Sequence, residues 1–311
     1  MSFFGMFKGK GENGFGYNST AEEVTEGLDL SGKTYLVTGC NSGLGFETTR
    51  VLILRGARVF GAARTLAKAE FSGALYGDAF VPLECNLAAP SSIRAALATL
   101  AQHNAHFDGI VANAGIMSLP YRVTACGAEL QMLTNHLGHF LLVTELLDRL
   151  HPEGRVVVLS SAAHKDTYRE GLRLRDLDAA QKYHRWQAYG QSKLANILFV
   201  RELARRLPKG QSAYAIHPGV IATGITRYLP RVLSWAFEKV GPTLAAKSIP
   251  QGTATQVYAV AHPDAAEING AYWADVNPAQ SSRFGQDLEL AAALWVRSEA
   301  WVRDHGGGSK A

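Results

Sequence analysis

Cysteine is scarce in this 311-residue chain, which contains only Cys40, Cys85 and Cys126. Their odd number and irregular spacing match neither a disulfide framework nor a metal-ligand pattern, so the sequence predicts free thiols and no metal site. Long apolar runs are also missing, because no stretch approaches the roughly 18 residues that a membrane helix needs. The N-terminus lacks the apolar core of a secretory signal. We therefore expect a cytoplasmic protein with no integral membrane segment.

Charge of one sign is not concentrated anywhere in the chain. It carries 31 Lys and Arg residues against 27 Asp and Glu, a formal net charge of +4, and the basic residues form no runs. A nucleic-acid-binding surface normally needs a basic patch or stripe, so we expect no nucleic-acid partner. Linkers, repeats and low-complexity segments are absent as well, which favours one domain. The sequence leaves a homo-oligomer open.

Short apolar segments alternate with longer helical patterns from residue 33 onward. The predicted strands are 33–39, 57–62, 79–84, 108–112, 154–160, 212–216 and a late one near 270–273. The predicted helices are 43–55, 90–103, 129–150, 187–207, 250–262 and 285–303. This alternation is typical of βαβ units, whose parallel sheet is covered by helices on both faces. We expect an α/β, single-domain Rossmann fold with a doubly wound parallel sheet.

The two ends of the chain fall outside this alternation. Residues 1–30 are predicted to form an N-terminal extension with a short helix, since residues 19–23 have the spacing of a capping box. Residues 31–303 would form the Rossmann domain, and residues 304–311 a flexible tail.

Pro82 lies inside the third predicted strand. A proline has no N–H to donate to the ladder, so it is unwelcome in a central strand. The doubly wound order 3-2-1-4-5-6 puts the third strand at an edge, where a proline is tolerated. Pro82 is therefore consistent with this topology.

A glycine-rich loop follows the first predicted strand. Its candidate cofactor contacts are Thr38, Gly39, Asn41, Ser42, Gly43, Leu44 and Gly45. Glycines let such a turn close tightly and let the backbone approach a pyrophosphate, which the N–H groups of the following helix N-terminus favour. A tight turn without a ligand is the alternative, but the strand before the loop and the helix after it favour a dinucleotide site.

An acidic residue is missing where the second predicted strand ends. An NAD site usually has an acid there, which binds the ribose 2′-hydroxyl. This chain has Ala62, Ala63 and then Arg64, whose guanidinium suits a 2′-phosphate. A solvated surface arginine is the alternative for Arg64, but the missing acid favours NADP(H).

Tyr189 and Lys193 are four residues apart, which places them on one face of a helix. A free tyrosine has a pKa of about 10 and is a poor base at neutral pH. A neighbouring ammonium and a nicotinamide cation would favour its phenolate. The pair therefore indicates proton transfer, although a tyrosine and a lysine at this spacing are also common on protein surfaces.

Polar residues end the two strands that should lie nearest this pair. The fourth predicted strand leads to Asn113-Ala-Gly, and the fifth leads to Ser160 and Ser161. Active sites of open α/β sheets form at this carboxyl edge. Asn135 lies within an otherwise apolar helix, and a buried amide must be hydrogen-bonded. These residues are candidates for one catalytic site.

Taken in order, the motifs resemble the short-chain dehydrogenase/reductase family. They are the glycine-rich loop, Asn113-Ala-Gly, Ser160-Ser, Tyr189-x-x-x-Lys and Pro218-Gly. Four finer motifs are similar to the retinol-dehydrogenase-like subgroup, which includes the WW-domain-containing oxidoreductases. They are Asn135-His-Leu-Gly-His-Phe-Leu-Leu, Ser160-Ser-Ala-Ala-His, Tyr189-Gly-Gln-Ser-Lys-Leu-Ala-Asn and His217-Pro-Gly-Val. The resemblance runs from about residue 27 to residue 302.

The resemblance implies a role for each matching residue. Tyr189 would be the general acid/base, Lys193 would bind the nicotinamide ribose and lower the tyrosine pKa, and Ser161 would orient the substrate carbonyl. Asn135 would hold a water of the proton relay. Asn86 stands where relatives usually have Asp, and its amide oxygen can still accept from adenine. The further implied cofactor contacts are Leu87, Asn113, Ala114, Gly115, Pro218, Gly219, Val220 and Thr223.

Candidates for substrate contact are Met117, His164, Trp186 and Ile225, beside Ser161, and each could instead be a packing residue. Segment 224–249 mixes bulky apolar residues with prolines and glycines. We expect it to be a mobile lid over a hydrophobic, fairly large substrate.

These patterns predict an NADP(H)-dependent oxidoreductase that interconverts a carbonyl and an alcohol on a hydrophobic small molecule. Two alternatives stay open. One is reduction of a conjugated C=C bond, which the same tyrosine supports. The other is a non-catalytic, nucleotide-binding regulatory protein, which the presence of both Tyr189 and Lys193 disfavours.

Overall fold

The computed structural model describes residues 8–221 and 246–306 of the chain. Within these ranges one sheet contains eight strands: β1 (Thr34–Thr38), β2 (Arg58–Ala63), β3 (Phe80–Glu84), β4 (Phe107–Ala112), β5 (Leu150–Leu159), β6 (Ser212–His217), β7 (Tyr272–Ala274) and β8 (Asn277–Ala279). Their order is β3-β2-β1-β4-β5-β6-β7-β8. Neighbouring strands are parallel except for the β7–β8 hairpin. The predicted doubly wound Rossmann fold is confirmed.

Helices cover both faces of this sheet. They are α1 (Gly43–Leu54), α2 (Leu66–Gly73), α3 (Pro90–Gln102), α4 (in three consecutive parts, Leu130–Met132, Leu133–Leu137 and Gly138–Thr144), α5 (Arg185–Arg206), α6 (Ile249–Ala261) and α7 (Leu288–His305). Because successive strand residues point to opposite faces, Leu36 packs in the core beneath α3, α4 and α5, while Val37 packs in the core beneath α1 and α6. No described helix is long and apolar enough to cross a membrane.

The edge position predicted for Pro82 is also confirmed. Pro82 lies on β3, which is the first strand of the sheet, and its register partner on β2 is Gly61. At the opposite edge, the short strand β8 also carries a proline, Pro278, which lies across from Trp273. The three cysteines are free, as predicted.

Two elements were not predicted. Helix α2 is short. Phe71 on this helix and Leu75 just after it are exposed at 86% and 92%, so the apolar residues form no amphipathic pattern that would predict a helix. Strand β8 has three residues and one proline, which is too weak a strand signal. Strand β5 also begins at Leu150, four residues before the predicted start, where the β4–β5 register is irregular.

In residues 8–30, the short helix predicted for the N-terminal segment is a 3₁₀ turn, Glu23–Thr25. A capping box precedes it, because Thr20 N donates to Glu23 Oε2 and Glu23 N donates to Thr20 Oγ1. At the other end, α7 continues to His305, two residues beyond the predicted boundary. Of the predicted lid, residues 224–245 lie outside the described residues.

Candidate active site

A cleft of about 370 Å³ lies at the carboxyl ends of β1, β2 and β4, where the strand order reverses direction. The predicted cofactor residues that line it are Thr38, Gly39, Asn41, Ser42, Leu44, Arg64, Asn86, Leu87, Asn113, Ala114 and Gly115. Residues not singled out from the sequence also line it: Ala62, Ala63, Lys68, Cys85, Ile116, Thr134 and Leu159. The structure therefore brings most of the predicted cofactor residues into one cavity.

The glycine-rich loop is folded back tightly on itself. Gly39 has a φ of +71°, which residues with a Cβ rarely adopt. A Cβ on Gly45 would lie 2.2 Å from Gly39 O, so the loop can close only with glycine at this position. Ser42 precedes α1 without a side-chain bond to the helix. The first N–H groups of α1 therefore have no side-chain cap from Ser42 that would compete with an anion.

Thr38 joins the ends of β1 and β4 beneath this loop. Its Oγ1 accepts from the N–H groups of Asn113 and Ala114, both at 3.0 Å, and lies 2.8 Å from His139 Nε2. His139 Nδ1 lies 3.1 Å from Asn135 O, and a carbonyl can only accept, so Nδ1 carries the hydrogen. Nε2 then accepts from the Thr38 hydroxyl. Burial lowers the pKa of His139 to about 4, which keeps this ring neutral.

Asn135 lies in a π-helical turn, Leu133–Leu137, a feature often found at functional sites. Both hydrogens of its side-chain amide and one acceptor site of its oxygen are used within the protein. Oδ1 accepts from Ile116 N at 2.8 Å, while Nδ2 donates to Ile116 O and to Ser192 Oγ, both at 2.9 Å. Ser192 Oγ donates in turn to Tyr189 O. Asn135 thus ties the segment after β4 to α5, and its water contact stays a prediction.

Tyr189, Lys193 and Ser161 meet where α5 crosses the end of β5. Lys193 Nζ lies 5.8 Å from the centre of the Tyr189 ring and donates to Leu159 O at 2.8 Å. Burial raises the pKa of Tyr189 to about 12, although a hydrogen bond with Ser161 opposes this rise. Burial also lowers the pKa of Lys193 to about 7. In the chain alone, burial therefore sets the direction of the Tyr189 pKa shift. We expect a bound nicotinamide cation to stabilise the phenolate and so to lower this pKa.

Two basic side chains line the cleft where β2 ends. Arg64 follows this strand, and Lys68 lies four residues later, on α2; both are exposed. Glu84, at the end of the neighbouring strand β3, does not line the cleft. Its Oε2 instead accepts from Leu66 N at 3.0 Å at the start of α2. The cleft is thus cationic at this position.

The loop after β6 contains the predicted contacts Pro218, Gly219 and Val220. His217 anchors it, because its Nδ1 accepts from Gly219 N at 3.4 Å and from Ala162 N at 3.2 Å. Burial lowers the pKa of His217 to about 4, so an unprotonated Nδ1 is expected near neutral pH. This histidine connects the loop to the residue that follows Ser161. The predicted contacts Thr223 and Ile225 lie outside the described residues.

The predicted substrate residues differ in their surroundings. Met117 and Trp186 are partly buried and near the site in sequence. His164 is fully buried, and both ring nitrogens are used: Nδ1 donates to Ser161 O at 2.6 Å, and Nε2 accepts from Ser282 N at 2.9 Å. His164 therefore supports the serine turn, and the structure gives it no free group for a substrate.

Sequence reasoning missed three residues that hold or line the site. Ser192 lies inside the Tyr189–Lys193 motif, and its position next to the lysine was the available signal. Lys68 stands four residues after Arg64, and a second basic residue so close to Arg64 in the sequence was the available signal. His139 carried no signal in the sequence, because its hydrogen bond with Asn135 O forms only when the helix is folded.

Comparison with known proteins agrees with this geometry. The family model described as short chain dehydrogenase matches residues 33–172. "Short-chain dehydrogenase TIC 32 A, chloroplastic" from Brassica napus is 38% identical, over 95% of this chain and 97% of that protein. "Retinol dehydrogenase 14" from Mus musculus is 36% identical, over 88% of this chain and 86% of that protein.

A solved structure extends the agreement to the fold. It is the crystal structure of an uncharacterised protein from Mycobacterium paratuberculosis, with a TM-score of 0.72 and 33% sequence identity. The match covers 90% of this chain and 97% of that one. The chain therefore belongs to the short-chain dehydrogenase family of oxidoreductases, in its retinol-dehydrogenase-like subgroup.

Proposed function

We propose that the chain interconverts a carbonyl and an alcohol on a hydrophobic small molecule, with NADP(H) as the hydride carrier. The observation that carries this proposal is the meeting of Tyr189, Lys193 and Ser161 beside a glycine-lined cleft that Arg64 also lines. A proton donor, a cation and a hydroxyl in one place are what carbonyl reduction requires from a protein.

The described residues fit a nicotinamide dinucleotide. The loop around Gly39 and Gly45 leaves no room for a Cβ on Gly45, and α1 begins next to it. Asn113 Oδ1 is buried without a hydrogen-bond partner among the described residues, so it can accept from a ligand. Lys193 Nζ lies within 3.4 Å of the Cβ position of Gly115, which lines the cleft. When bound, the cofactor would supply or accept the hydride.

Arg64 and Lys68 support the choice of NADP(H) over NAD(H). A ribose 2′-hydroxyl is usually held by an acid, whereas a 2′-phosphate needs cations. The Glu84 carboxylate caps α2, and no acidic side chain of the part of the chain that the structure describes lines the cleft beside Arg64. We propose that Arg64 and Lys68 both contact the 2′-phosphate.

Tyr189 would transfer the proton. Its raised pKa keeps the phenol protonated at neutral pH, and this is the form that donates to the oxygen of a carbonyl being reduced. Ser161, hydrogen-bonded to the phenol, would orient the same oxygen. Lys193 would add positive charge, which favours the phenolate that remains after the transfer. Oxidation of an alcohol would use the same groups in reverse.

The substrate class rests on two supports. Segment 224–249 is rich in bulky apolar residues. One similar protein is named a retinol dehydrogenase, and retinol is an apolar alcohol. We therefore propose an apolar alcohol, aldehyde or ketone.

The direct test is NADPH oxidation with a panel of apolar aldehydes, ketones and enones, followed by product analysis and repeated with NADH. Alcohol products formed faster with NADPH are expected. A saturated ketone from an enone would favour C=C reduction instead. NADPH binding without turnover of any compound would favour the regulatory, nucleotide-binding alternative.

A further inference from the structure

The β7–β8 hairpin has a strained turn. Its two central residues, Asp275 and Val276, have φ values of +53° and +64°. Such turns normally carry Asn or Gly, and a β-branched residue is a genuine outlier there. Val276 is fully buried, and its N–H donates to Thr255 Oγ1 at 3.1 Å. Strain of this kind persists where surrounding contacts fix it, often near functional sites.

The strained turn places the Asp275 carboxylate between two lysines. Oδ1 lies 2.7 Å from Lys247 Nζ, and Oδ2 lies 2.8 Å from Lys8 Nζ. The Lys247 side chain has no exposed surface. A buried ammonium without a carboxylate is strongly unfavourable, so Lys247 depends on Asp275 to remain in this position.

Lys247 lies directly against the loop after β6. Gly219 has a φ of +87°, and a Cβ there would lie 2.8 Å from Lys247 Cδ. Lys247 N donates to Val220 O at 2.8 Å, and Lys247 forms an isolated parallel bridge with Ile221. The aliphatic stem and backbone of Lys247 therefore support the loop in which the nicotinamide contacts are predicted.

Residues 8–17 cover this ion pair from the other end of the chain. The Tyr17 ring lies 4.7 Å from Lys247 Nζ and 4.8 Å from Lys8 Nζ. Asn13 Nδ2 donates to Val276 O at 2.8 Å, which holds the strained turn. The N-terminal segment thus contacts the carboxylate, the buried lysine and the turn together.

We propose that Lys247 and Asp275 are positioning residues for the nicotinamide end of the cofactor site, and that residues 8–17 help to hold these two residues in place. The pair acts through the loop at Gly219 and Val220 and leaves the adenine end untouched. The N-terminal extension thereby contributes to cofactor binding. The inference rests on the proposed function for the identity of the cofactor.

The test is titration of the full-length chain with NADPH and with adenosine 2′,5′-bisphosphate, which contains the adenine end and lacks the nicotinamide. Asp275→Asn should weaken NADPH binding about tenfold and leave the bisphosphate within about twofold. Lys247→Met with Asp275→Asn removes both charges, and it should recover part of the loss. Lys8→Ala should weaken NADPH about two- to fivefold, because its ion pair is half-exposed. Lys10→Ala, an exposed lysine of the same segment, is the matched control.

Unchanged NADPH affinity in Asp275→Asn would overturn the proposal. Equal weakening of both ligands, or no recovery in the double variant, would show that the pair only stabilises the fold and would overturn it as well. If the unmutated chain bound the bisphosphate and not NADPH, the proposed function itself would fail, and this inference with it.

Discussion

Tyr189→Phe is the substitution that most directly tests the proton-transfer proposal. It retains the ring and its packing and removes the hydroxyl that is hydrogen-bonded to Ser161. Loss of that bond should lower the free energy of unfolding by about 1 kcal/mol. The catalytic loss should be larger, because general acid–base catalysis contributes about 10²–10⁴-fold to the rate. This corresponds to about 3–5 kcal/mol of activation free energy. NADPH affinity should stay within about twofold, since the phenol acts on the substrate oxygen.

The assay is steady-state NADPH oxidation with the best substrate of the panel, together with NADPH titration of the same preparations. Tyr214→Phe is the control: its buried hydroxyl donates to Ala265 O at 2.6 Å and lies 2.8 Å from Ser212 Oγ, from which it can accept. Tyr214→Phe should lower the free energy of unfolding and leave kcat unchanged. If Tyr189→Phe turned over like the unmutated chain, the proton would come from another group and the mechanism would be wrong.

Three further predictions concern the cofactor. Arg64→Ala should narrow the preference for NADPH over NADH by about 1–3 kcal/mol, and Lys68→Ala by less; equal dissociation constants in the unmutated chain would contradict both. Since the pKa of Lys193 is about 7 in the chain alone, NADPH binding at pH 8 should take up a proton and at pH 6 should not, because an anionic ligand raises this pKa. Calorimetry in two buffers measures this uptake, and pH-independent values would refute it. Gly45→Ala should lower the free energy of unfolding by about 1–3 kcal/mol and weaken NADPH binding, since its Cβ would overlap Gly39 O; an unchanged urea midpoint would contradict this.

Much of the cleft could be predicted because its chemistry lies in local sequence. The glycine loop, Asn113-Ala-Gly and the serine pair each follow a strand, and strand ends of a parallel sheet must share one edge. The edge position of Pro82 followed from its missing N–H.

The contacts that hold the site together could not be predicted in this way. The bond between His139 and Asn135 O depends on the helix being closed into a π turn. The ion pairs of Asp275 join residues that are 267 and 28 positions apart in the chain, and a strained turn directs them. Asp275 followed by Val276 is not a typical turn sequence, so the sequence predicted neither the strained turn nor its ion pairs. His164 shows the converse, because a position that suggested substrate contact is used for packing and hydrogen bonding.

The two prolines at the sheet margins limit how copies of this protein can associate. Pro82 lies on β3 and Pro278 on β8, the first and last strands of the sheet. An edge strand with a proline lacks an N–H donor at that position, which makes it a poorer template for a strand from another molecule. Each margin therefore has one position that cannot donate to an added strand, which disfavours strand-to-strand association. A homo-oligomer of this chain would accordingly associate through its helices, and no sheet would continue from one copy into the next.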